Sequence, residues 1–159
     1  MAKPTIHIAT DHAGLEFSHS IIDHLRSQGF DVVDHGPVSY DPLDDYPGFC
    51  IATAEAVVSD TALGRAAFGI VLGGSGNGEQ IAANKVDGVR AALVWNDSTA
   101  ILARQHNDAN VISIGARQHP MEDVLRFVDL FLAEPFSGDE RHVRRIAQIS
   151  AYERDRHRG

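Results

Sequence analysis

Five short runs of apolar residues recur along the chain and have the length of β-strands. They lie at residues 5–10, 30–34, 68–72, 89–94 and 111–115. Because several of these runs are continuous rather than alternating with polar residues, they predict strands that are covered on both faces. The run at 68–72 is followed directly by glycines, which is typical of a buried strand that ends in a tight turn.

Between and after these strands, apolar residues recur at helical spacing. In the first such segment one face holds apolar side chains from Leu15 to Leu25, and Gly29 ends the pattern. In a later segment Asp97 is the expected N-cap. The predicted helices cover residues 14–28, 48–62, 78–86, 97–105, 120–133 and 138–155, and a proline-containing loop covers 36–47.

This alternation of strands and helices predicts a three-layer α/β/α Rossmann-like fold with a five-stranded parallel sheet. The helix at 138–155 is an extra C-terminal element, and the absence of a linker predicts one domain over residues 1–159. In open parallel sheets, ligands bind beyond the carboxyl ends of the strands. We therefore expect the chemistry to follow Thr10, Leu72, Val94 and Gly115.

Composition places the chain among globular proteins, with 43% apolar and 23% charged residues. Its single cysteine, Cys50, excludes a disulfide framework and is expected to be a small core residue. No apolar run approaches the roughly 20 residues of a membrane span, and the N-terminus lacks the long apolar segment of a signal peptide. We therefore expect a cytoplasmic protein with no membrane partner.

The charge is uneven along the chain. A net charge of −8 argues against a nucleic-acid partner, yet residues 139–159 carry 6 arginines against 4 acidic residues. Arg141 and Arg145 are one helical turn apart, and Arg117 follows the fifth strand. Since guanidinium groups bind phosphate in bidentate fashion, these arginines are candidate phosphate ligands. A solvated arginine-rich helix is the alternative.

The segment Gly73–Gln80 (Gly-Gly-Ser-Gly-Asn-Gly-Glu-Gln) joins a buried strand to a helix. Such a glycine run can fold into a nest of N–H groups that attracts an oxyanion. It is not a Walker loop, and it lacks the third glycine of the dinucleotide fingerprint. A tight turn with a capping box from Asn77 to Gln80 is the alternative. Glu79 is either a general base beside an oxyanion hole or a side chain favoured by the helix N-terminus.

Two other polar pairs flank the predicted sheet. Asp11 and His12 follow the first strand, where Asp11 is either a functional group or a helix N-cap. His106 and Asn107 precede the fifth strand, at the edge opposite the expected site, where a histidine is favoured by the helix C-terminus. His106 can act in catalysis only if the helix end projects back or a second subunit supplies it.

The sequence favours no metal site. The loop carboxylates Asp41, Asp44 and Asp45 do not have the spacing of a calcium loop. The nine histidines show no zinc-ligand spacing.

Taken together, these motifs resemble the type B ribose-5-phosphate isomerases, which share a fold with galactose-6-phosphate and allose-6-phosphate isomerases. The resemblance covers nearly the whole chain and is especially close to the mycobacterial-type branch. One branch of the family uses a cysteine as base at the position of Gly73, whereas another uses a glutamate at the position of Glu79. The chain therefore resembles the glutamate branch. The segments that carry the resemblance are Asp11–Gly14, Asp45–Pro47, Gly73–Lys85, Arg104–Asn107 and Arg141–Arg145.

The resemblance implies an aldose–ketose isomerase that interconverts ribose 5-phosphate and ribulose 5-phosphate through an enediolate. It implies Glu79 as the base and His106, assisted by Asp11, as the ring-opening group. It implies no metal or organic cofactor, and a homodimer with shared active sites in which helix 138–155 packs on the partner; pairing of dimers into tetramers is left open. The implied substrate-binding residues are His12, Tyr46, Gly74, Ser75, Gly76, Asn77, Gly78, Asn107, Arg117, Arg141 and Arg145.

Other functions remain open at this stage. The substrate could be another phosphorylated sugar, such as allose or galactose 6-phosphate or a tetrulose 4-phosphate. A non-catalytic sugar-phosphate-binding subunit is a further alternative. The presence of Asp11, Glu79 and His106 favours a self-sufficient enzyme.

Overall fold

The computed structural model describes residues 2–158 and contains a five-stranded sheet in which every pairing is parallel. The predicted α/β fold with a parallel sheet is confirmed. The strands are β1 (Thr5–Thr10), β2 (Val32–Asp34), β3 (Ala67–Gly73), β4 (Ala91–Leu93) and β5 (Val111–Gly115). The helices are α1 (Leu15–Ser27), α2 (Tyr46–Ala62), α3 (Asn77–Ala83), α4 (Asp97–Asn107), α5 (Met121–Ala133) and α6 (Glu140–Arg156), and a 3-10 turn at His12–Gly14 precedes α1.

The strand order is β2-β1-β3-β5-β4. The chain moves outward from β1 to β2 and then crosses to the other side of β1 to form β3. The direction of winding therefore reverses between β1 and β3, and the loops that leave these two strands diverge to opposite faces. Such a switch point opens a crevice at the carboxyl ends of the two strands. Asp11 and the glycine run lie at this crevice.

The sheet separates two apolar cores. On one face Ile6, Ile70 and Ile112 pack with α1, α4 and α5. On the other face Val71 and Val111 pack with α2 and α3. This arrangement gives the predicted three layers, and it fixes both faces of β1 and β3 beneath the crevice.

The two edge strands are shorter than predicted. The strand expected at 30–34 pairs only over Val32–Asp34, and the strand expected at 89–94 only over Ala91–Leu93. Among the strands, β2 pairs only with β1 and β4 pairs only with β5, so each has one partner to extend its ladder. Apolar residues beyond the ladder, such as Phe30 and Val89, still pack in the cores.

Most of the remaining differences lie at the ends of helices: α3 ends at Ala83 rather than at residue 86, and α2 begins at Tyr46, within the segment predicted as a loop. The N-cap of α4 is Asn96, not Asp97, because Asn96 and Thr99 form a reciprocal capping box. The capping box from Asn77 to Gln80, which was the alternative interpretation of the glycine run, does not form. Gly76 is the N-cap of α3, and the Gln80 amide donates instead to the carbonyl of Ala91.

No helix within residues 2–158 is long and apolar enough to cross a membrane.

A chain of polar side chains crosses one side of the sheet. The His7 ring on β1 is 5% exposed, and its Nε2 lies 2.9 Å from Oδ2 of Asp60 on α2. Its Nδ1 lies 2.9 Å from Nε2 of His35, directly after β2. Burial lowers the pKa of His35, the neighbouring His7 lowers it further, and Asp34 opposes them. The folded protein therefore holds a proton on His35 less readily than the unfolded chain does.

This network predicts that the protein loses stability in mild acid. Below the unfolded histidine pKa of 6.5, the unfolded state binds more protons than the folded state, so the free energy of unfolding falls as pH falls toward the folded pKa. Urea unfolding at fixed protein concentration between about pH 7.5 and 5 measures this slope. His35→Gln cannot titrate and should give a shallower slope. Equal slopes for the two proteins would show that His35 is not responsible.

Candidate active site

Asp11 is the first polar residue beyond β1 and lies at the crevice. Its Oδ1 accepts the backbone N–H of Ala13 at 2.9 Å and so caps the 3-10 turn. Asp11 is only 7% exposed. The capping role and a functional role are therefore compatible, because the cap holds a buried carboxylate at the switch point.

His12 is fixed by a carboxylate that the sequence analysis did not select. Oδ1 of Asp44 accepts the ring Nδ1–H of His12 at 2.7 Å and its backbone N–H at 3.1 Å. Since a carboxylate can only accept, Nδ1 carries a proton and Nε2 is left for a ligand. No local pattern distinguishes Asp44 from Asp41 and Asp45, so the sequence alone could not single it out.

Asp11, His12 and Asp44 also form the one cluster, within residues 2–158, whose geometry could suit a metal ion. One potential ligand atom from each lies within 4.8 Å of the others. One of these potential ligand atoms already takes part in a hydrogen bond, because Nδ1 of His12 donates to Asp44. A metal at that nitrogen would have to displace its proton.

The glycine run forms the opposite wall of the crevice. Gly76 adopts φ +83°, and the carbonyl oxygens of Gly73 and Gly74 accept the backbone N–H groups of Ala116 and Arg117. These two hydrogen bonds hold the loop after β5 against the glycine run and fix the direction of its backbone. In the described residues 2–158, the N–H groups of Gly74 and Ser75 have no acceptor. Unpaired N–H groups in a turn ahead of a helix are suited to an oxyanion.

Glu79 lies in the first turn of α3, 4% exposed, and its carboxylate rests against the backbone of Gly73. A Cβ atom at position 73 would lie 1.7 Å from Oε1 of Glu79. Any side chain at 73 would therefore occupy the space of the carboxylate. The glycine at this position is a steric requirement for the buried glutamate.

The electrostatic surroundings of Glu79 favour a base. Burial raises the pKa of its carboxyl group, and the charge of Asp11 raises it further. Hydrogen bonding from the backbone N–H groups of Glu79 and Gly76 opposes this shift without reversing it. The effect of burial on the pKa of Glu79 thus exceeds the opposite effect of the helix N-terminus. A base with an elevated pKa accepts a carbon-bound proton more readily.

Two longer side chains cover the crevice. The Tyr46 hydroxyl lies over Gly78, where a Cβ atom would be 2.3 Å away, and the Arg117 guanidinium lies over Gly74 at 3.4 Å from the corresponding position. We call the set that meets at this edge the carboxyl-end group. It comprises Asp11, His12, Asp44, Tyr46, Gly74–Gly78, Glu79 and Arg117.

Cys50 lies on α2, beneath this site, and is fully buried. Burial raises the pKa of its thiol to about 12, and the charges of Glu79 and Asp11 contribute. The thiol is therefore protonated at neutral pH and is no candidate for a base.

The other predicted site residues lie at the opposite edge of the sheet. His106 and Asn107 end α4, and the carbonyl of Asn107 accepts from Nε of Arg90, directly ahead of β4. The ring of His106 stacks on His142 of α6, the helix that also carries Arg141 and Arg145. We call His106, Asn107, Arg141, His142 and Arg145 the amino-end group. Within one chain, the sheet separates it from Glu79.

The sequence profile of the Ribose/Galactose Isomerase family matches residues 6–149. The chain is 49% identical over 154 residues to ribose-5-phosphate isomerase B of Mycobacterium tuberculosis, covering 97% of this chain and 93% of that protein. It is 38% identical over 146 residues to ribose-5-phosphate isomerase B of Escherichia coli, covering 92% and 94%. The crystal structure of ribose-5-phosphate isomerase B from Mycoplasma genitalium with bound ribulose-5-phosphate matches with a TM-score of 0.91, 42% identity and coverage of 97% and 99%.

The contact between Gly73 and Glu79 predicts a coupled effect on stability. Gly73→Ala places a methyl group on the carboxylate, and displacing it should lower the free energy of unfolding by about 1–3 kcal/mol. In a Glu79→Ala background the same substitution meets no carboxylate, so its cost should be smaller. Denaturant unfolding of the four proteins measures the difference.

Gly48→Ala is a matched control, because a Cβ there would meet no atom within 4 Å. It should leave stability nearly unchanged. An equal cost of Gly73→Ala in both backgrounds would contradict the steric account.

Proposed function

The chain belongs to the ribose/galactose isomerase family, and from that premise we propose that this isomerase interconverts D-ribose 5-phosphate and D-ribulose 5-phosphate. The observation that carries the mechanism is the buried Glu79 carboxylate beside the unpaired N–H groups of Gly74 and Ser75. The choice of sugar rests on the names of the relatives and on the ribulose-5-phosphate bound in one of them.

In the proposed reaction, Glu79 takes the proton from C2 of the open-chain aldose. The C2–H electrons form a C1–C2 double bond, and the carbonyl electrons move to O1, giving an enediolate. Glu79 returns the proton to C1, and the proton on O2 passes to O1 as the C2 carbonyl forms, so that the ketose carries a C1 hydroxyl. Neither an oxidant nor a reductant is needed, because oxidation at C2 is balanced by reduction at C1.

The glycine run stabilises the charge that develops on the substrate oxygen. Two N–H donors held by a rigid turn meet an enediolate oxygen without rearrangement in the transition state. Gly76 and Gly78 keep the turn narrow, and Asn77 starts the helix directly beside it. We assign residues Gly74–Gly78 to substrate binding on this basis.

Phosphate binding and ring opening draw on both edges of the sheet. His12, Arg117, Arg141 and Arg145 are the proposed phosphate ligands, His106 with Asp11 opens the ring, and Asn107 and Tyr46 orient the sugar. None of the three arginines has a carboxylate at ion-pair distance in the described part of the chain, residues 2–158. Their charges are therefore free for an anionic ligand.

A second copy of the chain completes the site in this proposal. Glu79 and His106 lie at opposite edges of one sheet, so a single chain cannot bring both to one sugar. A partner can place its amino-end group against the carboxyl-end group of the first copy. A homodimer with two shared sites is then the smallest active unit.

One prediction from the proposed reaction concerns the base. The protein should convert ribose 5-phosphate to ribulose 5-phosphate in the presence of EDTA, and Glu79→Gln should lower kcat by about 100-fold or more while substrate still binds. Because burial raises the pKa of Glu79, kcat should rise with pH along a limb centred above the pKa of an ordinary solvent-exposed glutamate. Steady-state rates across pH, with and without EDTA, measure both effects.

Three outcomes would contradict parts of this proposal. An unchanged rate for Glu79→Gln would exclude Glu79 as the base, and a loss of activity in EDTA would indicate a metal. Higher kcat/KM for a four-carbon or six-carbon sugar phosphate would replace the assigned substrate.

Another prediction from the proposed reaction concerns the shared site. Glu79→Gln and His106→Asn homodimers should each be nearly inactive, but mixed dimers contain one site without either substitution. Random exchange of subunits should therefore restore up to about a quarter of the wild-type activity. Mixing Glu79→Gln with Asp11→Asn is the matched control, because both substitutions fall in the carboxyl-end group and leave no intact site. Mixed dimers without restored activity would contradict the shared site.

A further inference from the structure

We infer that His142 is a positioning residue for His106, holding the ring-opening imidazole in a fixed plane. The two rings stack with centroids 4.3 Å apart and an interplanar angle of 18°. The inference rests on the proposed function, since it takes His106 as the group that opens the sugar ring.

His142 is the one buried side chain of α6. The helix has 17 residues, and His142 is 4% exposed, whereas neighbouring apolar side chains such as Val143 remain exposed. Helix α6 buries this imidazole against its own chain, and farther along it Glu153 accepts the backbone N–H of Gly88 and Arg156 pairs with Asp87. A helix held in place only by apolar packing would turn Val143 inward instead.

The buried imidazole is costly to keep. Within residues 2–158, its Nε2 is buried without a hydrogen-bond partner. A buried polar atom without a hydrogen-bond partner destabilises the folded state, so an apolar side chain would stabilise this position better. Stability does not explain a histidine at this position. A flat ring that lies nearly parallel to the ring of His106 does explain it.

The charge state of His142 suits this role. Burial lowers its pKa, and the neighbouring His106 and the arginines Arg141 and Arg145 lower it further, while Asp139 opposes them. His142 is thus a neutral ring at neutral pH. A neutral ring can stack on His106 whether or not His106 carries a proton, whereas a second cation would repel the protonated form.

Three hydrogen bonds join the segment ahead of α6 to the last turns of α4. Between α5 and α6, the backbone N–H of Ser137 donates to the carbonyl of Gln105. The side-chain Nε2 of Gln105 donates to Oε1 of Glu134 at 2.6 Å. Nε of Arg104 donates to the carbonyl of Glu134. The start of α6 is thereby fastened to the last turn of α4. One element then sets both the plane of His106 and the positions of Arg141 and Arg145.

Two reactions of the same enzyme separate ring opening from proton transfer. Ribose 5-phosphate in solution is mainly a furanose, whose ring must be opened, whereas ribulose 5-phosphate is acyclic because its C5 oxygen carries the phosphate. Exchange of a C1 proton of ribulose 5-phosphate in D2O requires only the base and the enediolate. It does not require the ring-opening group.

His142→Ala should lower kcat for ribose 5-phosphate by about 10- to 100-fold, because a small misplacement of a catalytic group has effects of this size. The rate of C1 exchange in ribulose 5-phosphate should change by less than about twofold. His142→Phe keeps a flat ring and should recover most of the isomerisation rate. His106→Asn should show the same selective loss, and Val143→Ala, on the exposed side of α6, should show neither.

Equal losses of isomerisation and exchange in His142→Ala would overturn the inference, since a general structural defect would affect both. Unchanged isomerisation would also overturn it, as would a His142→Phe variant no better than His142→Ala. Failure of the proposed function is distinguishable, because then the wild type itself would neither isomerise ribose 5-phosphate nor exchange the ketose proton.

Discussion

The burial of one carboxylate against one glycine is the constraint on which the site depends. The Glu79 side chain fills the volume that a side chain at position 73 would need, so the end of β3 and the start of α3 are matched to each other. Strand β3 lies at the centre of the sheet, packed on both faces, and this rigidity keeps the carboxylate away from water. The same burial that makes the carboxylate costly to fold makes it a stronger base, so stability and reactivity oppose each other at this position.

The division of polar residues between the two edges follows from parallel topology. Every strand enters from the same edge, so residues that end a helix and residues that end a strand are separated by the length of the sheet. Asn107 and Asp11 illustrate this, the former ahead of β5 and the latter beyond β1. A fold of this kind can use both edges for one ligand only by bringing two copies together. In the site that we propose, assembly of two copies is therefore required for the chemistry.

Much of this structure could be predicted from sequence, and the exceptions have physical reasons. β1 and β5 begin and end where predicted, because strands buried on both faces leave continuous apolar runs. β2 and β4 are shorter than predicted, since apolar residues at a sheet edge can pack without joining a ladder. Asp44 and His142 were missed because their significance lies in contacts with His12 and His106 that are distant in sequence. The sequence leaves Glu79 open between two roles, and its burial and its contact with Gly73, which only the fold creates, support the proposed role as base.

Cys50 is the only cysteine of the chain, and it lies sealed in the core next to the proposed base. With its thiol pKa at about 12, it offers almost no thiolate to an electrophile. A catalytic carboxylate, unlike a catalytic thiol, contains no sulfur that could be oxidised, alkylated or joined to glutathione. An isomerase of this design would keep working under oxidative stress that silences thiol-dependent enzymes of the same metabolism.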